Sequence, residues 1–320
     1  MKKFFKKIYR SSPIIKNLFL TGLKLRKYYR IHCLSEEAFT KKKFKEGLGY
    51  DLDLENPISL NEKINWLILN DRTPLHTLCA DKFKVREHIS KKIGSQYLVP
   101  LVFHTESASD LSNKNIPDYP VIIKTNHNSF GYEIINNKYD INWDPIREKF
   151  QKLLKINYYD ASKQWQYKNI KPLIIVEKLL KDSDGNIPKD YKLHCFNGLV
   201  RMVSVDINRS KPTHSRSWYN KNWKKEPYSW SNKRRTGGFT DPLQEELEKP
   251  ASFDLMIKLS EKLAQDFDYV RVDWYNLDGK LYFGELTFHH SGGRCPILPK
   301  EWDVKLGEEL VLIKSKQLTN

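Results

Sequence analysis

The sequence has no acidic residue in its first 30 positions, no CxxC pair, no internal repeat and no low-complexity tract, and each absence narrows what the protein can be. Its four cysteines, Cys33, Cys79, Cys195 and Cys295, lie far apart. That spacing argues against a disulfide framework and a structural zinc site, and it fits a reducing cytoplasm. His194-Cys195 and His289-His290 have neither metal-ligand spacing nor an evident partner for nucleophilic chemistry. Neither GxxxxGK[ST] nor GxGxxG occurs, which disfavours P-loop and Rossmann nucleotide binding. The apolar run from Ile14 to Leu25 is broken by Lys16 and Asn17 and no small-residue cleavage site follows it. It is too short to span a bilayer and does not read as a signal peptide.

What the chain has in excess is positive charge, +16 over 320 residues, and the surplus gathers at the start in Lys2, Lys3, Lys6, Lys7, Arg10, Lys16, Lys24, Arg26, Lys27 and Arg30. Ile14, Ile15, Leu18, Leu25, Tyr28 and Tyr29 recur among these cations at helical spacing. Such a helix suits an anionic membrane surface, and it equally suits packing on its own protein. The hydrophobic fraction of 39% suffices for two or three packed lobes.

Breakers and changes of period divide the chain into a basic segment over 1–48, a helical domain over 49–118 and two further lobes over 119–180 and 181–320. Ser59 and Glu62 have capping-box spacing ahead of Ile64, Trp66 and Leu67, and a second helix is predicted from Leu75 to Ile93, closed by Gly94. Strands are predicted at Val121–Lys124, Tyr132–Ile135 and Leu173–Val176, with a helix over Trp143–Ile156. From Asp190 the pattern is strand, Asn197-Gly198, strand, a strong hairpin signal. A polar, aromatic-rich loop is expected over 208–242, followed by a helix over Phe253–Phe267 and a second hairpin. The order implies an α+β protein without a regular parallel βαβ repeat.

The second hairpin, Val270–Tyr275 and Lys280–Phe288, is the most informative stretch. With a three-residue loop ending at Gly279, Arg271 lies opposite Glu285, Asp273 lies opposite Phe283, and Asp273 and Glu285 are diagonal neighbours. Val270, Val272, Trp274, Tyr282, Leu286 and Phe288 then share an apolar face, and the two carboxylates share the other with Thr287. Two carboxylates beside a groove suit a nucleotide-bound magnesium ion, while an Arg271–Glu285 salt bridge facing solvent is the plainer reading. Lys124 ends a strand and enters a loop whose amides and ammonium group can grip phosphate. Lys192 is a second cation on a strand, and Glu177-Lys178-Leu179-Leu180 follows a buried strand where main-chain groups can read an adenine edge.

The segments 56–63 (NPISLNEK), 80–86 (ADKFKVR) and 121–127 (VIIKTNH), Asp190-Tyr191-Lys192 with Phe196-Asn197-Gly198, and Val270–Asp273 with Tyr282–Thr287 together resemble the TupA-like ATP-grasp family, associated with teichuronopeptide and other surface-polysaccharide biosynthesis. The likeness runs over about residues 50 to 310, and the order of its motifs is more specific than any one of them. It implies an ATP-grasp fold with ATP held between two α+β lobes behind a helical N-terminal piece. By the same resemblance Lys124 and Lys192 are the phosphate lysines, and Glu177, Lys178 and Leu180 form the adenine linker. Asp184 reaches the ribose, and Asp273, Glu285 and Thr287 hold magnesium. Arg271 faces the transferring phosphoryl group, while Lys82, Arg86, Arg209, Gly292 and Gly293 contact substrate. The sequence departs from the family in its loop after His127, where Asn128, Ser129 and Phe130 stand in place of glycines.

The implied activity is amide formation by a carboxylate–amine ligase through an acyl phosphate. The acceptor is a uronic-acid glycan or its lipid-linked precursor, the other substrate is an amino acid or amine, and nucleic acid is not an expected partner. The rivals are a non-catalytic protein that binds acidic glycans or nucleic acid, and a sugar-transferring enzyme of the same pathway.

Overall fold

Ser35 opens a helix by accepting a hydrogen bond from the Ala38 amide, and Ser59 opens another through a complete capping box with Glu62. In the computed structural model, which describes residues 13–183, 185–207, 214–231, 240 and 246–313, these helices follow a basic first one. The three are α1 (Pro13–His32), α2 (Glu36–Leu48) and α3 (Leu60–Asn70). The single helix expected from Leu75 to Ile93 is two, α4 (Pro74–Ala80) and α5 (Val85–Lys92). Asp81 breaks it: its carboxylate accepts from the amides of Phe83 at 2.9 Å and Lys84 at 3.2 Å and from Asn126 Nδ2 at 2.9 Å. These bonds offer the backbone an alternative to a continued helix.

Four strands follow, β1 (Leu101–Thr105), β2 (Val121–Thr125), β3 (Tyr132–Ile135) and β4 (Ile174–Lys178), with α6 (Trp143–Leu154) and the short α7 (Tyr158–Ser162) between the last two. They form an antiparallel sheet in the order β1-β4-β2-β3. The alternation of β2 puts Val121 and Ile123 into a core with Ile174, Val176 and Phe150 of α6, and turns Lys124 the other way.

The second sheet is built from β5 (Asp190–Phe196), β6 (Leu199–Ile207) and β7 (Ser215–Asn220), with β8 (Ser229–Trp230) outside it. After α8 (Phe253–Ala264) come β9 (Tyr269–Leu277) and β10 (Lys280–Thr287). The sheet order is β10-β9-β5-β6-β7, all antiparallel. Phe253, Met256 and Leu263 of α8 pack on Leu193, Val203, Val270 and Val272 and cover one face. A small ribbon of β8 with β11 (Ile297–Leu298) and the last helix, α9 (Glu301–Glu309), complete the fold.

Two expectations fail here. The stretch 208–242 is not all loop, because its described part contains β7 and β8. Trp218, Tyr219, Tyr228 and Trp230 are buried in the cores. The polar residues that suggested a loop are one side of a two-faced strand, with Arg216 opposite Asp206. The second hairpin also has a different register. Asp278 and Gly279 both have positive φ, 50° and 88°, making a two-residue turn that pairs Leu277 with Lys280. A shift between Phe283 and Glu285 then sets Asp273 directly opposite Glu285 and Arg271 opposite Thr287. As a result Leu281 and Phe283 join the main core, and Tyr282 packs on the other side with Val99 and Leu180.

In the helical part α9 lies close against the start of α3. A Cβ on Gly307 would lie 2.0 Å from the Ile58 carbonyl oxygen and 2.7 Å from the Leu60 amide nitrogen, and Lys63 Nζ donates to the Gly307 and Leu310 carbonyls at 2.6 and 2.7 Å. Because both obstacles are backbone, Gly307→Ala must push the helices apart, with an expected cost of ~2 kcal/mol. A lowered midpoint in thermal unfolding checks this, and an unchanged midpoint contradicts the contact.

Candidate active site

Strand β5 divides its side chains strictly: Tyr191, Leu193 and Cys195 enter the core, and Asp190, Lys192 and His194 line the opposite face. Register extends this face across the sheet. Lys192 pairs with Asp273 on β9 and Ser204 on β6, while Asp190 pairs with Asp206, which pairs with Arg216 on β7. Lys192 bonds Asp190 and lies 3.0 Å from Asp206 Oδ2, and Arg216 binds both oxygens of Asp206 at 2.8 and 3.0 Å. His214 Nε2 meets the same carboxylate at 2.8 Å. Burial opposes ionisation of Asp206, but Lys192 and Arg216 outweigh it and hold the carboxyl well below its usual range.

One strand over, Arg271 grips Asp273 with two bonds of 2.6 Å, reaches Glu285 Oε1 at 3.1 Å, and donates from Nη1 to His290 Nδ1 at 2.8 Å. Arg271 is buried, so its salt bridge to Glu285 is not the solvent-facing pair that the sequence also allowed. Burial disfavours the charged guanidinium, yet Asp273 and then Glu285 more than compensate and raise its pKa. Burial pushes the Asp273 carboxyl up to about 6 against the pull of Arg271 and Lys192. Burial, then nearby His194 and Arg271, lowers His290 well below the ordinary histidine value, so the ring is a neutral acceptor.

The opposite wall belongs to the four-stranded sheet. Lys124 Nζ is 2.7 Å from Glu177 Oε2, and Arg86 holds the other oxygen at 3.1 Å while donating to the Val99 carbonyl at 2.9 Å. Lys82 spans the gap: its Nζ donates to the Asn128 carbonyl at 2.6 Å and lies 3.9 Å from Glu285 Oε2. Burial lowers the Lys82 pKa, and nearby Lys124 adds to the effect. The loop after β2 needs few glycines at its base, because Asn126, His127 and Asn128 are buried and bonded. Asn126 Nδ2 donates to Asp81 and to the Lys171 carbonyl, His127 Nε2 meets the Ile156 carbonyl at 3.1 Å, and Asn128 Nδ2 donates to Thr125 Oγ1 at 3.2 Å.

The Asp273–Glu285 pair is a donor set that fits magnesium, which takes one or two protein carboxylates and keeps phosphate oxygens and waters for its other positions. Among the described residues no group of three or more His, Cys, Asp or Glu side chains is arranged to hold a metal alone. Thr287 donates to Glu285 Oε1 at 3.3 Å, which places its hydroxyl behind the carboxylate.

The family model for TupA-like ATP-grasp proteins matches residues 62–311. The chain belongs to the TupA-like ATP-grasp family. Its architecture, an α+β assembly with two antiparallel sheets, is the ATP-grasp fold. Solved structures similar to it include the D-alanine–D-alanine ligase of Bacillus anthracis, at 16% identity over 66% of this chain and 57% of that one, with a TM-score of 0.36. Another is the ATP-grasp ligase PsnB complexed with minimal precursor, at 12% identity over 74% and 61% of the two chains, with a TM-score of 0.39. This ATP-grasp chain thus spans 57% to 61% of the length of those ligases. No curated protein matches it in sequence.

Of the residues singled out beforehand, the ATP-grasp fold gathers Lys82, Arg86, Lys124 and Glu177 on one side and Lys192, Arg271, Asp273, Glu285 and Thr287 on the other. Leu180 packs with Val99 and Tyr282 where the sheets meet. The amides of Lys178 and Leu179 are already bonded to the carbonyls of Pro100 and Pro120, so they are not free to read an adenine edge. Gly292 and Gly293 are buried, and the Gly293 carbonyl accepts from Asn65 of α3 at 2.7 Å; packing accounts for them without a substrate contact. Asp184 and Arg209 lie outside the described residues. Asp190, Asp206, Arg216 and His290 were missed, and continuing the period-two reading through 199–220 would have found Asp206 and Arg216.

Asp206 offers a direct test. Asp206→Asn leaves Arg216 without its buried counter-charge and Lys192 with Asp190 alone, with an expected loss of ~3–5 kcal/mol at neutral pH. Because the folded carboxyl titrates well below the ordinary carboxylate value, the stability it contributes is fully present above that value and is lost progressively as pH falls from it toward the folded pKa. The gap between wild type and variant should therefore begin to narrow in denaturant titrations as pH falls from about 4 to 3, and a constant gap would contradict the assignment.

Proposed function

We propose that the protein is an ATP-dependent carboxylate–amine ligase acting in the cytoplasm, which joins an amino acid or amine to a uronic-acid carboxylate of a bacterial surface glycan or its precursor. The observation that carries this reading is the facing of two charged walls bridged by Lys82: Lys124 with Glu177 on one, and Lys192, Arg271 and the Asp273–Glu285 pair on the other. Family membership supports nucleotide use, and the +16 charge suits an acidic acceptor.

In this reading Lys124 and Lys192 hold phosphate oxygens, exchanging their present carboxylate partners for them, and Arg271 faces the group in transfer. A magnesium ion held by Asp273 and Glu285 would neutralise charge on the phosphates. The acceptor carboxylate oxygen attacks the γ-phosphorus, the bond to the β-phosphate bridging oxygen breaks, and ADP departs. An amine then attacks the acyl carbon, the carbon–oxygen bond to phosphate breaks, and the amine releases a proton. No side chain acts as a covalent nucleophile, and positioning with electrostatic stabilisation does the work.

Thermal unfolding with Mg-ATP, in wild type and Glu285→Gln, tests the reading. At a hundred times the dissociation constant the nucleotide should add ~2.7 kcal/mol to wild type and much less to the variant. Supplying uronic-acid glycans with amino acids should then release ADP and phosphate together. Absence of any shift in wild type at saturating Mg-ATP overturns the ligase reading.

A further inference from the structure

The first helix is a surface of two chemistries at once. Along α1 the residues Ile15, Leu18, Phe19, Leu25 and Tyr29 fall on one face at steps of three, four and seven, and all are exposed, Leu18 at 67% and Leu25 at 63%. The first 30 positions supply ten lysines and arginines, and no aspartate or glutamate precedes Glu36. The base of the helix is fastened to the body of the protein: Lys163 Nζ donates to the Ile31 carbonyl at 2.6 Å, and Glu36 just beyond binds Arg72 and Tyr159. Among the described residues no helix is long and apolar enough to cross a membrane, so a bilayer is met from its surface.

We propose that α1 docks the protein on an anionic lipid bilayer, with the Ile15–Tyr29 stripe at the headgroup boundary. Charge complementarity selects this occupant. A second copy of the segment would bring more cations and no acid to offset them. A nucleic acid would satisfy the cations and leave Leu18 and Leu25 in water. An anionic bilayer takes both, because headgroups attract the lysines and arginines and the acyl boundary receives the apolar face. The base of the helix is linked to the groove through a chain of contacts: Lys163 and Tyr159 belong to the stretch that continues to Gln166 and Tyr167, and Gln166 meets His289, next to the His290 that holds Arg271. Docking there would bring the groove near substrates carried on lipid.

Co-sedimentation of the full chain with vesicles decides the matter. The chain should pellet with phosphatidylcholine–phosphatidylglycerol vesicles and stay in solution with phosphatidylcholine alone, and its affinity should fall steeply as salt rises. Leu18→Ser/Leu25→Ser should weaken anionic-vesicle binding by roughly 10-fold or more, since apolar burial drives insertion. Lys16→Glu/Lys24→Glu/Lys27→Glu should weaken it by roughly 100-fold, as each lysine or arginine near an anionic bilayer adds its own attraction. Mg-ATP stabilisation should persist in both variants and serves as the folding control; if the serine variant fails it, the charge variant alone carries the test. The proposal is overturned if the full chain stays in solution with anionic vesicles at low salt. It is equally overturned if folded variants bind as wild type does, or if the helix instead drives dimerisation or binding to a nucleic-acid duplex that survives loss of the stripe.

Discussion

Everything on the second sheet's polar face depends on neutralising a buried guanidinium. Arg271 lies at 8% exposure, and leaving its charge unpaired there would cost several kcal/mol. Asp273, Glu285 and His290 supply four acceptor contacts, and each constrains something larger. Glu285 must stand directly opposite Asp273 to reach Arg271, which is what the irregularity between Phe283 and Glu285 achieves. His290 must accept, so its ring is neutral and the turn carrying it is fixed beside β9. Two strands further along, the same requirement repeats with Lys192 and Arg216 around Asp206.

This charge lattice explains how a site can be both rigid and open. Asp273 has both oxygens committed to Arg271, while Glu285 keeps 37% of its side chain exposed and its second oxygen faces Lys82. An incoming polyphosphate therefore meets cations whose present partners are carboxylates of the protein, and binding exchanges one set of anions for another without creating bare charge. On the facing wall Glu177 does the same for Lys124 and Arg86. The loop base at Asn126 to Asn128 is fixed by side-chain bonds, so the adjustable part begins beyond it, near the half-exposed Phe130.

Much of this placement was legible in residue order. Alternation in β2, β5 and β9 alone puts Lys124, Lys192 and Asp273 on faces opposite the apolar core, and the Asn197-Gly198 turn fixes the pairing of β5 with β6. What was not legible depends on contacts distant in sequence. Asp278-Gly279 is compatible with two- and three-residue turns, and the choice is made downstream by the shift that brings Glu285 to Arg271. The helix break at Asp81 requires Asn126, forty-five positions later, as a partner. The strand at Ser215–Asn220 looks like a loop until Asp206 is known to await Arg216.

The central claim is that the two sheets face one nucleotide groove through these charges. Amide hydrogen exchange with and without Mg-ATP tests it most directly, since strands that clamp a ligand open less often when it is bound. The account predicts added protection over 121–131, 174–180 and 269–287, with α1 and β7 unchanged. Protection confined to other segments, or none at saturating Mg-ATP, would contradict it.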